Sequence, residues 1–197
     1  MDVVEPGSGK KSVLEKDGTI HSAGDTVLGA DDISGILEIL YGVQLVIDSG
    51  KPHKKIEILF TIGEELYVKG SDVFDYSKVT AKQAYVLDLS EETTFNIGTI
   101  QGGTATNIVP DCCVLTAYET PLESKSVTDF QKACEILGFS GELTGTFGGS
   151  DNNSFAKNGI EGLVLSNGMY NAHSTREYTT VDDLYKGAEL IGQLILL

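Results

Sequence analysis

The sequence predicts an α/β fold, a three-layer αβα sandwich around a mostly parallel, mixed sheet. Short apolar runs of strand length alternate with segments of helical periodicity, the pattern of a sheet covered on both faces. Acidic residues and a histidine fall just beyond the ends of the apolar runs. One central stretch breaks the pattern with period-two alternation around a glycine pair, and is read as a separate module.

Apolar residues at Ile33, Ile36, Leu37, Leu40, Val43 and Ile47 recur at helical spacing, and Gly50 with Pro52 supplies a stop, giving a helix over 33–49. Lys55-Ile56-Glu57-Ile58-Leu59-Phe60-Thr61 reads as a buried strand ending before Gly63, with a short helix around 65–71. Ala84-Tyr85-Val86-Leu87 is a second strand, broken by the polar stretch 88–93. Residues 94–103 and 106–118, with Gly102-Gly103 between them, predict a hairpin. An amphipathic helix follows over 128–137, capped by Gly138, and another over 151–158, entered from Gly148-Gly149. Gly162-Leu163-Val164-Leu165 is a strand and 181–197 a closing helix. No internal repeat is visible.

With 197 residues, 41% of them hydrophobic and only 4 prolines, the chain can bury a core as one domain with a small appendage. Fourteen Lys and Arg against 29 Asp and Glu give a formal net charge of −15. That acidity is mainly a solvated surface; it repels phosphate backbones, and no basic stripe offsets it, so nucleic acid is excluded as a partner. The apolar runs are too short to span a bilayer. The opening Met1-Asp2-Val3-Val4-Glu5-Pro6 has neither a basic nor an apolar leader region, so export is not indicated. Three cysteines, Cys112, Cys113 and Cys134, make no disulfide framework and point to a reducing cytoplasm.

Ligands in open α/β sheets gather beyond the carboxyl ends of the strands. There the sequence sets Glu64-Glu65, Asp88 and, after the 163–165 strand, His173; Asp31-Asp32 precedes the first helix. Taken singly, an Asp pair ahead of a helix is commonly a cap, a Glu pair a solvated face, Asp88 the start of a turn and a lone histidine a surface residue. Taken together, Asp31, Glu64, Glu65, Asp88 and His173 combine carboxylates with imidazole, which suits zinc, manganese or cobalt rather than calcium.

The motifs then resemble the peptidase T-like di-zinc metallopeptidases across nearly the whole chain. Thr26-Val27-Leu28-Gly29-Ala30-Asp31-Asp32-Ile33-Ser34-Gly35 is similar to their bridging-aspartate segment, and Phe60-Thr61-Ile62-Gly63-Glu64-Glu65 to their Thr-x-x-Glu-Glu segment. The stretch from Asn96 through Gly102-Gly103 and Asn107 to Asp111 resembles a lid segment. Gly148-Gly149-Ser150-Asp151 with Asn153 resembles a substrate-side loop, and Asn171-Ala172-His173-Ser174-Thr175-Arg176-Glu177-Tyr178 the closing histidine motif. The resemblance implies that Asp31 bridges two metal ions and that Glu64 is the general base. It implies that Glu65 and His173 hold one ion and Asp88 helps hold the other, with Asn107, Gly149, Ser150 and Asp151 facing substrate.

The sequence also departs from that family. Its His-x-Asp motif is represented only by Met1-Asp2-Val3-Val4, with Asp2 in the orienting-carboxylate role; the histidine would have to precede Met1. His21 and His53 lack the motif. Most of the lid is missing, including its histidine, and Tyr118-Glu119-Thr120-Pro121 stands where relatives carry an arginine. The resemblance implies a discontinuous metal-binding domain over 1–90 and 121–197, with a lid and dimerisation remnant over 91–120. The expected activity is hydrolysis of short peptides, as a tripeptide aminopeptidase with two zinc ions in the complete enzyme and a homodimer formed through the lid. The alternatives are an N-acyl amino acid deacylase or amidohydrolase, and a catalytically silent metal-binding fragment.

Overall fold

The computed structural model describes residues 3–66, 68–89, 99–102, 113–116, 120–144 and 150–197. β1 (Ser12–Leu14) and β2 (Thr19–Ser22) pair antiparallel with Val13 opposite His21, and β7 (Tyr178–Thr180) adds to β2 with Ile20 opposite Thr179. This small sheet has no counterpart in the sequence reading. Its strands run three or four residues and mix Ser, Thr and His with one or two apolar or aromatic residues, too short for period-two alternation to stand out.

α1 (Ala30–Ser49) fills the expected helical span, but Asp31 and Asp32 carry non-helical dihedrals and the regular helix begins at Ile33. Asp32 Oδ1 accepts from Gly35 N at 3.2 Å, the capping role open to an acidic pair, while Asp31 is left for another task. The Asp31–Asp32 peptide is cis. Gly50 closes the helix in the left-handed region at φ 62°.

Which face of α1 points inward differs from the expectation. Ile33, Leu37, Leu40 and Ile47 are 41–60% exposed, whereas Ala30, Ser34, Glu38, Gly42 and Val46 are buried at every fourth position. The reason is the partner. α5 (Val181–Leu196) runs against α1, and a Cβ on Gly42 would lie 2.7 Å from Ala188 O and 2.9 Å from Ile191 Cβ. Close helix approach needs a small residue at the crossing, so the stripe that carries Gly42 is the packed one, with Gly187 of α5 making room for Glu38.

The strand expected over 55–61 does not form; residues 51–61 carry no regular secondary structure. β3 (Gln83–Leu89) pairs in parallel with β6 (Glu161–Ser166), and no described strand lies beside 55–61 to complete a ladder. The segment is fastened instead by Glu57, whose carboxylate accepts from the N–H groups of Thr80 and Ala81, each at 3.0 Å. Ile58 and Phe60 consequently stay 45% and 44% exposed.

α2 (Lys69–Asp72) is shorter than the helix anticipated over 65–71. β4 (Thr99–Gly102) and β5 (Cys113–Thr116) form the anticipated antiparallel hairpin, with Ile100 opposite Leu115. α3 (Lys125–Leu137) starts at Ser124, whose Oγ accepts from Val127 N, and ends at Gly138 with φ 72°. α4 (Asn152–Lys157) packs on β3, β6 and α2. The core gathers Leu87 and Leu165 of the parallel pair, Ala133 of α3, and Ile191 and Leu194 of α5. Beyond Leu87 the ladder shifts register before Leu89, so Asp88 is the extra residue of an irregularity at the strand's carboxyl end.

Candidate metal centre

Three of the expected ligands meet. Asp31, Glu65 and His173 each offer a donor atom, and all three lie within 4.8 Å of one another. His173 Nε2 stands 2.8 Å from Asp31 Oδ2 and 3.1 Å from Glu65 Oε1. Around a tetrahedral zinc with bonds of about 2.0–2.1 Å, donor atoms sit roughly 3.3–3.4 Å apart, so a slight opening of this triangle admits an ion. Two carboxylates and one imidazole with a side facing solvent also suit a catalytic divalent ion chemically. The two carboxylates are largely buried and His173 is 55% exposed, so the triad closes from the solvent side.

Each ligand is held by its local chain. Glu65 rides on a compact turn opened by Gly63 at φ 70°, with Lys69 N donating to Gly63 O and Val68 N to Glu64 O. His173 sits at φ 63° in a loop whose ends are pinned by the Tyr170–Tyr178 bridge, with hydrogen bonds of 2.9 and 3.1 Å. The two tyrosine rings stack across that bridge at 4.7 Å.

Asp88 and Glu64 line the same cavity of about 320 Å³ as Asp31, Glu65 and Asp151. Asp88 does not join the close triad. Burial, and then the charges of Glu64, Asp31, Asp32 and Asp151, push its carboxyl up to about 9. Asp32 is pushed up to about 8 by burial and by Asp31 beside it. Carboxyls crowded this way ask for positive charge, and a divalent cation supplies it. The rest of the lining combines apolar side chains, among them Ile36, Val43, Ile56 and Leu87, with polar ones such as Lys55, Glu57 and Gln83.

Of the expected substrate-side residues, Ser150 and Asp151 are buried, at 3% and 8% exposure. Thr61 Oγ1 donates to Asp151 Oδ2, which ties this loop to the segment leading into Glu64 and Glu65. Asp2, Asn107 and Gly149 lie outside the described residues. His21 and His53 are engaged elsewhere, His21 with Glu15 at 3.0 Å and with Ser22 O, His53 with Lys54 O.

Sequence reasoning gave no role to two buried side chains behind the triad. Asn167, 1% exposed, donates through Nδ2 to Asp32 Oδ1 at 2.5 Å and to Ser34 Oγ at 3.0 Å. Glu177, 2% exposed, accepts from Gly29 N at 2.6 Å and Asp31 N at 2.9 Å. Position near a strand end could have flagged Asn167. Glu177 falls inside the closing histidine motif, which marks its position, but its role shows only in the three-dimensional contact, since its partners are backbone groups 146 and 148 residues away.

Comparison with known proteins shows the family and the fold. A family model described as Peptidase family M20/M25/M40 matches residues 1–197. The uncharacterized protein YqjE of Bacillus subtilis is 25% identical over 291 residues, covering 99% of this chain and 78% of that protein. That alignment exceeds the chain by at least 291 − 197 = 94 positions, so the relative carries segments between the matched ones that this chain lacks. Peptidase T of Vibrio cholerae is 41% identical over 70 residues, covering 35% of this chain and 17% of that protein. The crystal structure of aminopeptidase PepT from Bacillus cereus superposes with a TM-score of 0.83 at 24% identity, covering 99% of this chain and 78% of that one. Among the described residues no helix is long and apolar enough to cross a membrane.

Proposed function

We propose that this chain, which belongs to Peptidase family M20/M25/M40, is the metal-binding catalytic part of an exopeptidase acting on short peptides, with tripeptides cleaved from the amino end. The observation that carries the reading is the convergence of Asp31, Glu65 and His173 from three separate loops. Zinc is the ion such a set favours, with manganese or cobalt as substitutes. The name of the Bacillus cereus neighbour, an aminopeptidase, supports the choice of peptides.

When bound, the ion supplies a Lewis acid for the scissile carbonyl and a water of lowered pKa. Glu64, in the same cavity and one residue before a ligand, is the base that takes the proton of the attacking water and returns it to the departing amine. Asp151, which lines that cavity, and Ser150 next to it in the chain are the substrate side of this reading. Asp2, Asn107 and Gly149 keep their assigned parts in the reading: Asp2 orients a ligand, and the other two contact substrate. Residues 1–90 and 121–197 make up the catalytic domain, and the β4–β5 hairpin belongs to a lid over 91–120 through which a homodimer would form. A reducing cytoplasm is the compartment proposed for it, where its 3 cysteines would stay thiols.

A second reading, a metal binder that turns nothing over, is favoured by Asp88 standing apart from the triad and by the segments present in YqjE and absent here. The two separate in one assay. Tripeptides and N-acyl amino acids are each incubated with the zinc- or manganese-loaded protein, and release of the free amine is followed. Tripeptide turnover that disappears on chelation supports the peptidase. Turnover of N-acyl amino acids alone transfers the site to the deacylases, and zinc binding without any turnover selects the silent reading.

A further inference from the structure

We propose that Glu177 is the positioning residue of the metal centre, holding the backbone of Asp31 so that its carboxylate meets His173. The inference rests on the metal-binding reading above. Glu177 is 2% exposed, and its two carboxyl oxygens divide between Gly29 N at 2.6 Å and Asp31 N at 2.9 Å. Those two N–H groups flank Ala30, which is itself 3% exposed. They belong to the cap and non-helical start of α1, where Gly29 has φ 76° and Asp31 and Asp32 depart from helical dihedrals, so no helical carbonyl is available to them.

The same loop supplies both the clamp and a ligand. His173 and Glu177 lie four residues apart in the segment closed by the Tyr170–Tyr178 bridge and its stacked rings. Inside it, Glu177 N donates to Ser174 O at 3.1 Å and Ser174 Oγ to Asn171 O at 2.7 Å. His173 reaches Asp31 from the side-chain end while Glu177 holds Asp31 from the backbone end. The separation between the two ligands is therefore set within one loop and its contact, and not through the accumulated packing of the chain between them. Outer partners of metal ligands act in this way, and their removal costs about 10–100-fold in metal affinity.

Glutamine at this position keeps the shape but offers one acceptor and one N–H₂ to two N–H donors, so one donor loses its partner. The test measures zinc affinity by calorimetry, with thermal stability of the zinc-free forms alongside, in wild type, Glu177→Gln and Glu161→Gln. Glu161 is the control because its Oε1 likewise accepts from a backbone N–H, that of Ser126 at 2.9 Å, outside the cavity. Glu177→Gln is expected to weaken zinc binding about 10–100-fold, with Glu161→Gln unchanged at a comparable loss of stability. Equal zinc affinity in Glu177→Gln and Glu161→Gln would overturn the proposal. If Glu177→Gln does not fold, amide exchange in the wild type decides. Slow exchange at Gly29 and Asp31 that slows further on adding zinc supports the clamp, and exchange there indifferent to zinc overturns it. Wild type that binds no zinc overturns the metal reading and the positioning role together, whereas a wild type that binds zinc with an unaffected Glu177→Gln sinks this inference alone.

Discussion

His173 Nε2 lies 2.8 Å from Asp31 Oδ2, so a residue at the non-helical start of α1 and one ahead of α5 share a single donor cluster, with Glu65 Oε1 at 3.1 Å from the same Nε2. Removing the imidazole leaves two carboxylates, which hold a transition ion less well. His173→Ala is expected to weaken zinc binding by at least the 10–100-fold typical of losing an outer partner. His21→Ala should leave it unchanged, because that ring is already engaged by Glu15 and Ser22. Calorimetric titration of both variants checks this, and equal losses would disconnect the triad from metal binding.

Adjacent residues are expected to separate the two functions of the Glu64–Glu65 loop. Glu65→Gln removes a donor of the cluster and should weaken metal binding. Glu64→Gln should keep the metal while lowering hydrolysis by about 10²–10⁴-fold, the usual cost of losing a general base. Metal content and peptide turnover measured on each variant test the assignment; metal lost from Glu64→Gln and retained in Glu65→Gln would reverse the roles.

The cavity is also expected to hold its ions unequally. Asp31, Glu65 and His173 make a three-donor site with room for water, while Asp88 stands outside the triad. Elemental analysis after gel filtration should give about one ion per chain, as a three-ligand zinc site predicts. Asp88→Asn should leave that ion in place. Two tightly held ions would mean that Asp88 draws further donors into a second site.

Much of this was legible before any coordinates. Helices with strong periodicity appear where the sequence puts them, and Asp31, Glu65 and His173 are legible as carboxylates and an imidazole just outside the apolar segments. The inward face of α1 was not legible. Hydrophobicity favoured Ile33, Leu37, Leu40 and Ile47, yet the face that packs is the one whose Gly42 lets α5 approach. The 55–61 run has strand composition but no described neighbour to complete a ladder, and composition carries no information about partners. The role of Glu177, though not its place in the closing motif, escapes the sequence for a similar reason, since its oxygens serve backbone groups that any sequence would present.

Glu38 gives the fold a pH dependence of definite sign. It is 1% exposed, neither of its carboxyl oxygens has a hydrogen-bond partner among the described residues, and it fits only because Gly187 on α5 lacks a side chain. Burial, and then the charges of Asp32 and Asp183, raise its carboxyl to about 9 from an ordinary 4.5. Between those values the folded chain keeps a proton that the unfolded chain releases, so stability falls as pH rises through the window and levels off above it. Glu38→Gln removes this proton. Denaturant unfolding of the zinc-free protein from pH 5 to 9 should show the variant gaining on wild type as pH rises, by at most ~1.4 kcal/mol per unit. Parallel curves would mean that Glu38 is charged and solvated in the folded state.

The α1–α5 crossing yields the last prediction, in which two opposing effects are weighed. In an exposed helix interior, Gly→Ala stabilises by about 0.8–1.0 kcal/mol, because alanine loses less backbone freedom on folding. At Gly42 the new Cβ would meet Ala188 O at 2.7 Å and Ile191 Cβ at 2.9 Å, and the first of these is backbone that cannot rotate away. Relief requires the helices to separate along a stripe that includes Glu38 and Val46, both nearly inaccessible to solvent. Overpacking of this kind costs typically about 1–3 kcal/mol, so the steric loss exceeds the helix gain. Gly42→Ala should therefore lower stability by up to about 2 kcal/mol net, read as a shifted denaturation midpoint with the slope unchanged. Zinc affinity should fall little, because Asp31 is held from the Glu177 side of its loop and not from Gly42. A stabilised Gly42→Ala would mean that α1 and α5 are not packed as closely as these contacts require.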